Sequence, residues 1–438
     1  MADPNKLIDG AKQAVAIAAR AGASGSFVHV SRSRSTTCTL RDGALEKVEE
    51  STDRGLSIEL YVDGRYSSHQ TNDLRADSLE GFIADAVALT RALEVDEFRA
   101  LPDPARYAGA VTNLDLHDPA LSSSSAEQRL ERGRRLSAKL TGKEVISASA
   151  TVYEAEGESG AVSSNGFEGA YRSTGTGYYA SATLRDGDER RPEGGFGMSA
   201  RHLEDLLEPE VIGDEALARA RARLGAAKGP TTRTTMVVDR HAVGSMIWRL
   251  LSPAFGQSVQ QGRSMWLDKL DQPVISPKLS LVSDPLIPRG LGSHPFDGEG
   301  VAAFRMPMIE GGALRHYLLD TYYARKLGVA PTTMSLGNLV VSPGKRGLEA
   351  IAKDVGEGVY VTSWLGGNAD PTTGDFSFGL RGHLISGGAI AAPVGEMNVT
   401  GNLIALFARL AEVGGDPWNH GQVRAPTMVF EDVQFSGA

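Results

Sequence analysis

The sequence predicts an α+β protein of two domains, with antiparallel sheet dominating the second. Three observations carry this prediction. Short runs of alternating apolar and polar residues are punctuated by Asp-Gly and Asn-Gly pairs, the chemistry of tight hairpins. Gly is abundant, at 51 of 438 residues, while aromatics are only 6%, which favours turns and hairpins over a helical bundle. Between the strand-like runs, a few segments keep the helical spacing of apolar residues.

The elements follow in order. Residues 4–22 place apolar side chains at helical spacing and stop at Gly22, a suitable C-cap. Strands are expected at 26–31 and 35–43. The stretch GLSIELYVDGRYSSHQTND, residues 55–73, alternates on both sides of Asp63-Gly64 and reads as a hairpin. A second helix is expected over 75–93. Residues 99–123 are rich in Pro and Ser and read as a connection, followed by a charged helix over 124–142. Strands return through 146–156 and 169–191, and a helix over 203–224 closes the half. The repeated order of helix, strands and helix hints at internal similarity. These elements form an N-terminal α+β domain, 1–224, of layered hairpins and helices. Residues 225–235 are small, polar and aperiodic, as a linker would be. The C-terminal domain, 236–438, is expected to be mainly antiparallel β with a few helices. It opens on a strand and then a helix with Val243, Met246, Ile247, Leu250 and Leu251 on one stripe. Another helix is expected from Asn402, its N-cap, to a stop at Gly414.

Composition narrows the chemistry. The net charge of −9 and the lack of a basic stripe argue against nucleic acid. The single cysteine, Cys38, excludes an intrachain disulfide and every multi-cysteine metal site. The opening residues lack the pattern of a signal peptide, and no apolar run is long enough to span a membrane, so a cytoplasmic protein without membrane contact is expected. Two GxGxxA matches, Gly175–Ala180 and Gly298–Ala303, lack the strand–turn–helix setting of a dinucleotide site and read as turn glycines. There is no GxSxG elbow and no Walker A sequence. None of the nine histidines is followed by Glu, and no two lie within ten residues of each other. Any zinc site would have to be assembled from scattered loops.

One loop concentrates reactive groups. GLGSHPFDGEGVAA, from Gly290 to Ala303, holds His294, Asp297 and Glu299, and Arg305 follows closely. Its carboxylates and imidazole could bind a hard cation or serve as acid and base. Its four glycines and Pro295 suggest a chain that must bend sharply, and a polar turn beside a groove is the favoured reading.

The combination of GLGSHPFDGEG with LLDTYYARKLG, Leu318 to Gly328, resembles the TldD/PmbA family, once described as modulators of DNA gyrase. The C-terminal stretch TTGDFSFGLRGHLISGGAIAAPVGEMNVTGNL and the N-terminal stretch RDGALEKVEESTDRGLSIELYVDGR are similar to it too. The resemblance implies one of two kinds of subunit. The TldD kind carries HExxxH on a helix early in the second domain, with a cysteine near the C-terminus completing a zinc site. The PmbA/TldE kind lacks these ligands. The two pair into a metalloprotease acting on unfolded or leader peptides. Here the corresponding helix reads MIWRLLSPAF, which puts Ile247, Trp248 and Ser252 at the motif positions, and GGDPWNHGQVRAPT offers His420 but no cysteine. The chain therefore resembles the PmbA/TldE kind. No catalytic or metal-ligating residue carries over, and zinc is expected only in a TldD-like partner. His294, Asp297, Glu299 and Arg305 are candidate groove or interface contacts. The alternative is a self-sufficient homodimer that binds a peptide or other ligand, or a divergent hydrolase.

Overall fold

The computed structural model describes residues 4–437. Helix α1 (Pro4–Arg20) leads into β1 (Gly25–Arg41), β2 (Ala44–Val62), β3 (Arg65–Thr71) and α2 (Ala76–Thr90). A long connection includes one turn, α3 (Pro119–Ser122). The pattern then recurs as α4 (Ala126–Ser137), β4 (Val145–Ser163), β5 (Glu168–Leu184), β6 (Glu193–Ala200) and α5 (Pro209–Arg221). All six strands make one antiparallel sheet in the order β3-β2-β1-β4-β5-β6. Each half contributes helix, three strands and helix, and the halves join through their first strands. That symmetry is the repeat hinted at by the sequence.

Local chemistry explains the hairpins. Asp42-Gly43 and Asp63-Gly64 both hold positive φ at both residues, the turn that matches strand twist and that Asp-Gly tolerates best. Side chains then alternate across the sheet. Even-numbered residues of β1 and β4 face the helices. Val28, Val30 and Val162 lie under α1 and α2, while Cys38, Leu40, Ala150 and Val152 lie under α4 and α5. The odd-numbered face behaves differently. Phe27 and Ala161 pack with Phe167 against Phe296 of the C-terminal domain.

Three expectations for this half need correction. β1 is one unbroken strand where two were expected. β2 begins at Ala44, because residues 44–54 are exposed on both faces and so show no alternation to read. The helix expected from 203 begins at Pro209, whose fixed φ suits the first helical position.

The stretch read as a linker contributes β7 (Ala227–Lys228) and the first half of β8 (Thr232–Val238). There follow α6 (Arg240–Leu251), a 3₁₀ turn at Ser252–Ala254, α7 (Gly256–Gln260), β9 (Leu281–Asp284), β10 (Met306–Glu310), β11 (Ala313–Leu314), α8 (Thr321–Leu327), β12 (Asn338–Val341) and α9 (Leu348–Val355). The chain ends with β13 (Gly358–Ala369), β14 (Asp375–Ser386), β15 (Ala389–Asn402), α10 (Leu403–Ala408), β16 (Leu410–Val413), β17 (Val423–Arg424) and β18 (Met428–Ser436). One sheet runs β11-β10-β9-β12-β17 and the other β16-β18-β8-β13-β14-β15-β7. Most pairs are antiparallel, with β8–β13, β15–β7 and β12–β17 parallel. Because β18 also pairs with β15, strands β18, β8, β13, β14 and β15 close into a ring.

The helix expected over 402–413 stops at Ala408. Arg409 leaves helical geometry (φ −95°, ψ 13°), and β16 pairs with β18 instead. A short apolar run satisfies either periodicity, and here the sheet edge captures Leu410 and Val413. No helix among the described residues is long and apolar enough to cross a membrane.

Candidate functional site

Helix α6 occupies the place where the resemblance would put a zinc motif. Asp239 caps it, accepting from His241 N at 2.8 Å. Its apolar stripe is fully used. Val243, Met246, Ile247, Leu250 and Leu251 are at most 1% exposed. At its far end Trp266, also fully buried, donates from Nε1 to the Leu250 carbonyl at 2.7 Å. Of the three motif positions, Ile247 is buried core, Trp248 is half-buried against that core, and exposed Ser252 opens the 3₁₀ turn.

Zinc takes imidazole nitrogen, thiolate or carboxylate oxygen as ligands. Ile and Trp offer no such donor, and a serine hydroxyl is a poor one. Among the described residues no cluster of three or more His, Cys, Asp or Glu could hold a metal ion. His420 sits in an aromatic stack at the start of α6, where the Trp418 ring lies 4.6 Å from that of His241 and 4.8 Å from that of His420. Burial holds both histidines below their ordinary pKa. The donor set on and around α6 therefore does not fit zinc.

The second feature is the loop from Gly290 to Ala303. It leaves β9 and is stapled to the start of β12 by Asn338, which is fully buried. The Asn338 side chain accepts from Gly292 N at 2.9 Å and donates to Ser293 Oγ and the Asp284 carbonyl, both at 2.8 Å. Close packing, more than bending, explains the glycines. Only Gly300 of the four has a left-handed φ, 79°. At Gly292 a Cβ would lie 2.7 Å from the Gly337 backbone.

The loop closes over the odd-numbered face of the N-terminal sheet and leaves a cavity of about 350 Å³. His29 of β1, Ser159 of β4, Tyr171 of β5 and Arg201 line one side; His294 and Asp297 line the other. Arg201 ties the walls together. It donates to the Leu291 carbonyl at 2.8 Å and to the Thr174 carbonyl at 3.1 Å. Burial holds its guanidinium below the usual range. His29 meets Ser159 Oγ at 2.8 Å. His294 donates from Nδ1 to the Gly292 carbonyl at 3.0 Å, since a carbonyl can only accept. Burial holds the ring below its ordinary pKa, and in the neutral form that this favours Nε2 is an acceptor.

The structure separates the loop's reactive residues. Asp297 lines the cavity but its oxygens are spent on three backbone N–H groups and the Thr333 hydroxyl. Oδ1 accepts from Glu299 N and Val301 N at 3.0 Å, and Oδ2 accepts from Thr333 Oγ1 at 2.9 Å and Met334 N at 3.3 Å. Glu299 lies outside the cavity. It caps α8, accepting from Thr321 N at 3.0 Å and Thr321 Oγ1 at 3.0 Å. Arg305 is exposed, 3.6 Å from Asp284, and does not line the cavity. Of the four, only His294 presents a free functional atom to the groove. The sequence reading missed His29, Tyr171 and Arg201, which the N-terminal sheet brings together and which meet His294 only when the two domains pack. The sole signal was a histidine beside Phe27 on the odd-numbered face of β1.

Glu299 yields a pH prediction. Burial, with the nearby Asp297 and Asp320 carboxylates adding, outweighs its Thr321 hydrogen bonds and pushes its carboxyl up to about 7. A carboxyl raised in the folded state stabilises the fold below its unfolded value near 4.5, and that contribution is lost as pH rises through 7. Its size is about 3 kcal/mol at most. Urea midpoints at pH 5 and pH 8 should differ less in Glu299→Gln than in the wild type. An unchanged pH dependence would place the titrating group elsewhere.

Comparison with known proteins gives this arrangement its context. Residues 28–90, 119–224 and 231–437 match, respectively, domain 1, the central domain and the C-terminal domain of the PmbA/TldA metallopeptidases. The chain belongs to the PmbA/TldD family. It is 26% identical to the metalloprotease PmbA of Escherichia coli O157:H7 over 416 residues, covering 94% of this chain and 92% of that one. A PmbA homolog of Buchnera aphidicola (subsp. Acyrthosiphon pisum, strain APS) is also 26% identical, over 420 residues, with the same coverage. A crystal structure from Bacteroides thetaiotaomicron VPI-5482, of a candidate modulator of DNA gyrase, superposes with a TM-score of 0.95 at 36% identity and full coverage of both chains. TldE of Thermococcus kodakarensis shares the fold, with a TM-score of 0.86 at 19% identity over 98% of this chain and 100% of that one. In this PmbA/TldD family member, α6 and the Gly290 loop both lie in the region matched to the C-terminal domain.

Proposed function

We propose that this chain is the zinc-less subunit of a two-subunit PmbA/TldD metalloprotease acting on unfolded or leader peptides. In this reading it holds no metal and performs no hydrolysis alone. It assembles with a TldD-like subunit that carries HExxxH, and its own groove helps to hold an extended peptide. The observation that carries the reading is α6. Where a zinc subunit would present two histidines and a glutamate, this helix and the turn that follows it present Ile247, Trp248 and Ser252, and the first is sealed in the core.

The groove supports the second half of the reading. Its 350 Å³ falls within the size range of pre-formed ligand sites. A neutral imidazole acceptor on one wall and a tyrosine on the other suit a peptide backbone, which offers both N–H and C=O groups. The outer edge of β2 adds to this, because β3 pairs only with residues 56–62 and leaves the preceding stretch open. Open edges can take an extended chain as an added strand. Mixing this chain with an HExxxH-bearing family member and following casein cleavage tests the proposal. Cleavage should require both chains, and His294→Ala should weaken it without changing zinc content. Cleavage by the partner alone, at an unchanged rate, would remove the role assigned to this chain.

A further inference from the structure

A second cavity lies away from the groove, where the β5–β6 loop and the α5–β7 crossing meet strands β13 to β15. Its volume is about 570 Å³. Five cationic side chains line it: Arg190, Arg191, Arg223, Lys228 and Arg381. Three carboxylates, Asp186, Glu193 and Glu396, do not balance them. Asp186 is held by Arg190 at 3.2 Å and by Gly225 N at 3.0 Å, and Glu396 meets Lys228 only at 4.0 Å.

Arg191, Arg223 and Arg381 have no ion-pair partner among the described residues. Arg191 donates to the carbonyls of Asp188 and Arg190 at 2.9 and 2.7 Å. Arg223 donates to the Glu193 carbonyl and, at 3.4 Å, to Ser363 Oγ. Burial and the like charge of Arg381 hold Arg223 below its ordinary range, outweighing the nearby Glu193 carboxylate, with which it makes no ion pair. His383 also lines the cavity. Its Nε2 donates to the Ala222 carbonyl at 2.9 Å, while Nδ1 is buried without a partner.

Arg223 is half-buried without an ion pair, a costly arrangement, and the exposed Arg191 and Arg381 on the same cavity leave further N–H donors that an oxyanion can accept. In a chain of net charge −9, this local excess of positive charge is not background. The volume exceeds what a single ion needs, and Pro192, Leu365 and Val394 supply apolar wall for a small organic body. We propose that this cavity binds a small multivalent oxyanion, a phosphate or polycarboxylate compound, through Arg191, Arg223 and Arg381. The site is independent of the proteolytic role.

Calorimetry on the full chain at physiological salt, with pyrophosphate and with citrate as probes, tests this and separates the two chemistries. Saturable one-to-one binding of either is expected. Arg381→Gln, on an exposed side chain that leaves the fold intact, should weaken it about tenfold or more. Arg223→Lys should weaken it as well, because an ammonium cannot reproduce the bidentate fork. Lys47→Gln, far away on β2, should leave it unchanged. No binding of either probe at millimolar concentration, or equal weakening by Lys47→Gln and Arg381→Gln, would overturn the proposal.

Discussion

Asp297→Ala should lower unfolding stability by about 3–5 kcal/mol, among the largest effects of any single change in the loop. The residue is 5% exposed, and its two oxygens accept four hydrogen bonds. Truncation leaves three backbone N–H groups and a hydroxyl facing a void. Each buried unsatisfied donor costs about 1–3 kcal/mol, with the sum reduced by relaxation. The damage should spread, because Glu299 is positioned by the same turn and caps α8. Asp297→Asn keeps one acceptor but turns an amide toward other donors, so it should fall in between. Urea unfolding gives the midpoints. A loss below about 1 kcal/mol for Asp297→Ala would mean that the loop is not held by this carboxylate.

Ile247→His should cost about 2–3 kcal/mol and should bind no zinc. Restoring one motif residue does not restore a site, because the side chain at 247 enters a sealed apolar core with Met246, Leu250 and Trp266. A buried neutral imidazole there would find no hydrogen-bond partner. Thermal unfolding with parallel metal analysis measures both effects. Stoichiometric zinc in this variant would show that the metal position is latent.

Much of the fold was legible because its signals are local. Asp-Gly pairs set the hairpins, and alternation set β3 and the second half of β2. What escaped reading was set by distant partners. Residues 44–54 are a strand only because β1 lies beside them, and Leu410–Val413 only because β18 does. The site shows the same division. The degenerate α6 could be read from Ile247 and Trp248 directly. The groove could not, because His29, Tyr171 and Arg201 join His294 across domains. Glu299 and Arg305 look like site residues in sequence, yet one is spent on capping and the other faces solvent.

The central claim is that this chain completes a zinc peptidase without holding the zinc. The direct measurement is to co-express it with an HExxxH-bearing family member, purify through a tag on this chain, and determine zinc by elemental analysis alongside casein cleavage. The account predicts that the complex carries zinc and cleaves in a chelator-sensitive manner, while this chain alone does neither. One equivalent of tightly held zinc in this chain alone, with chelator-sensitive cleavage, would contradict it.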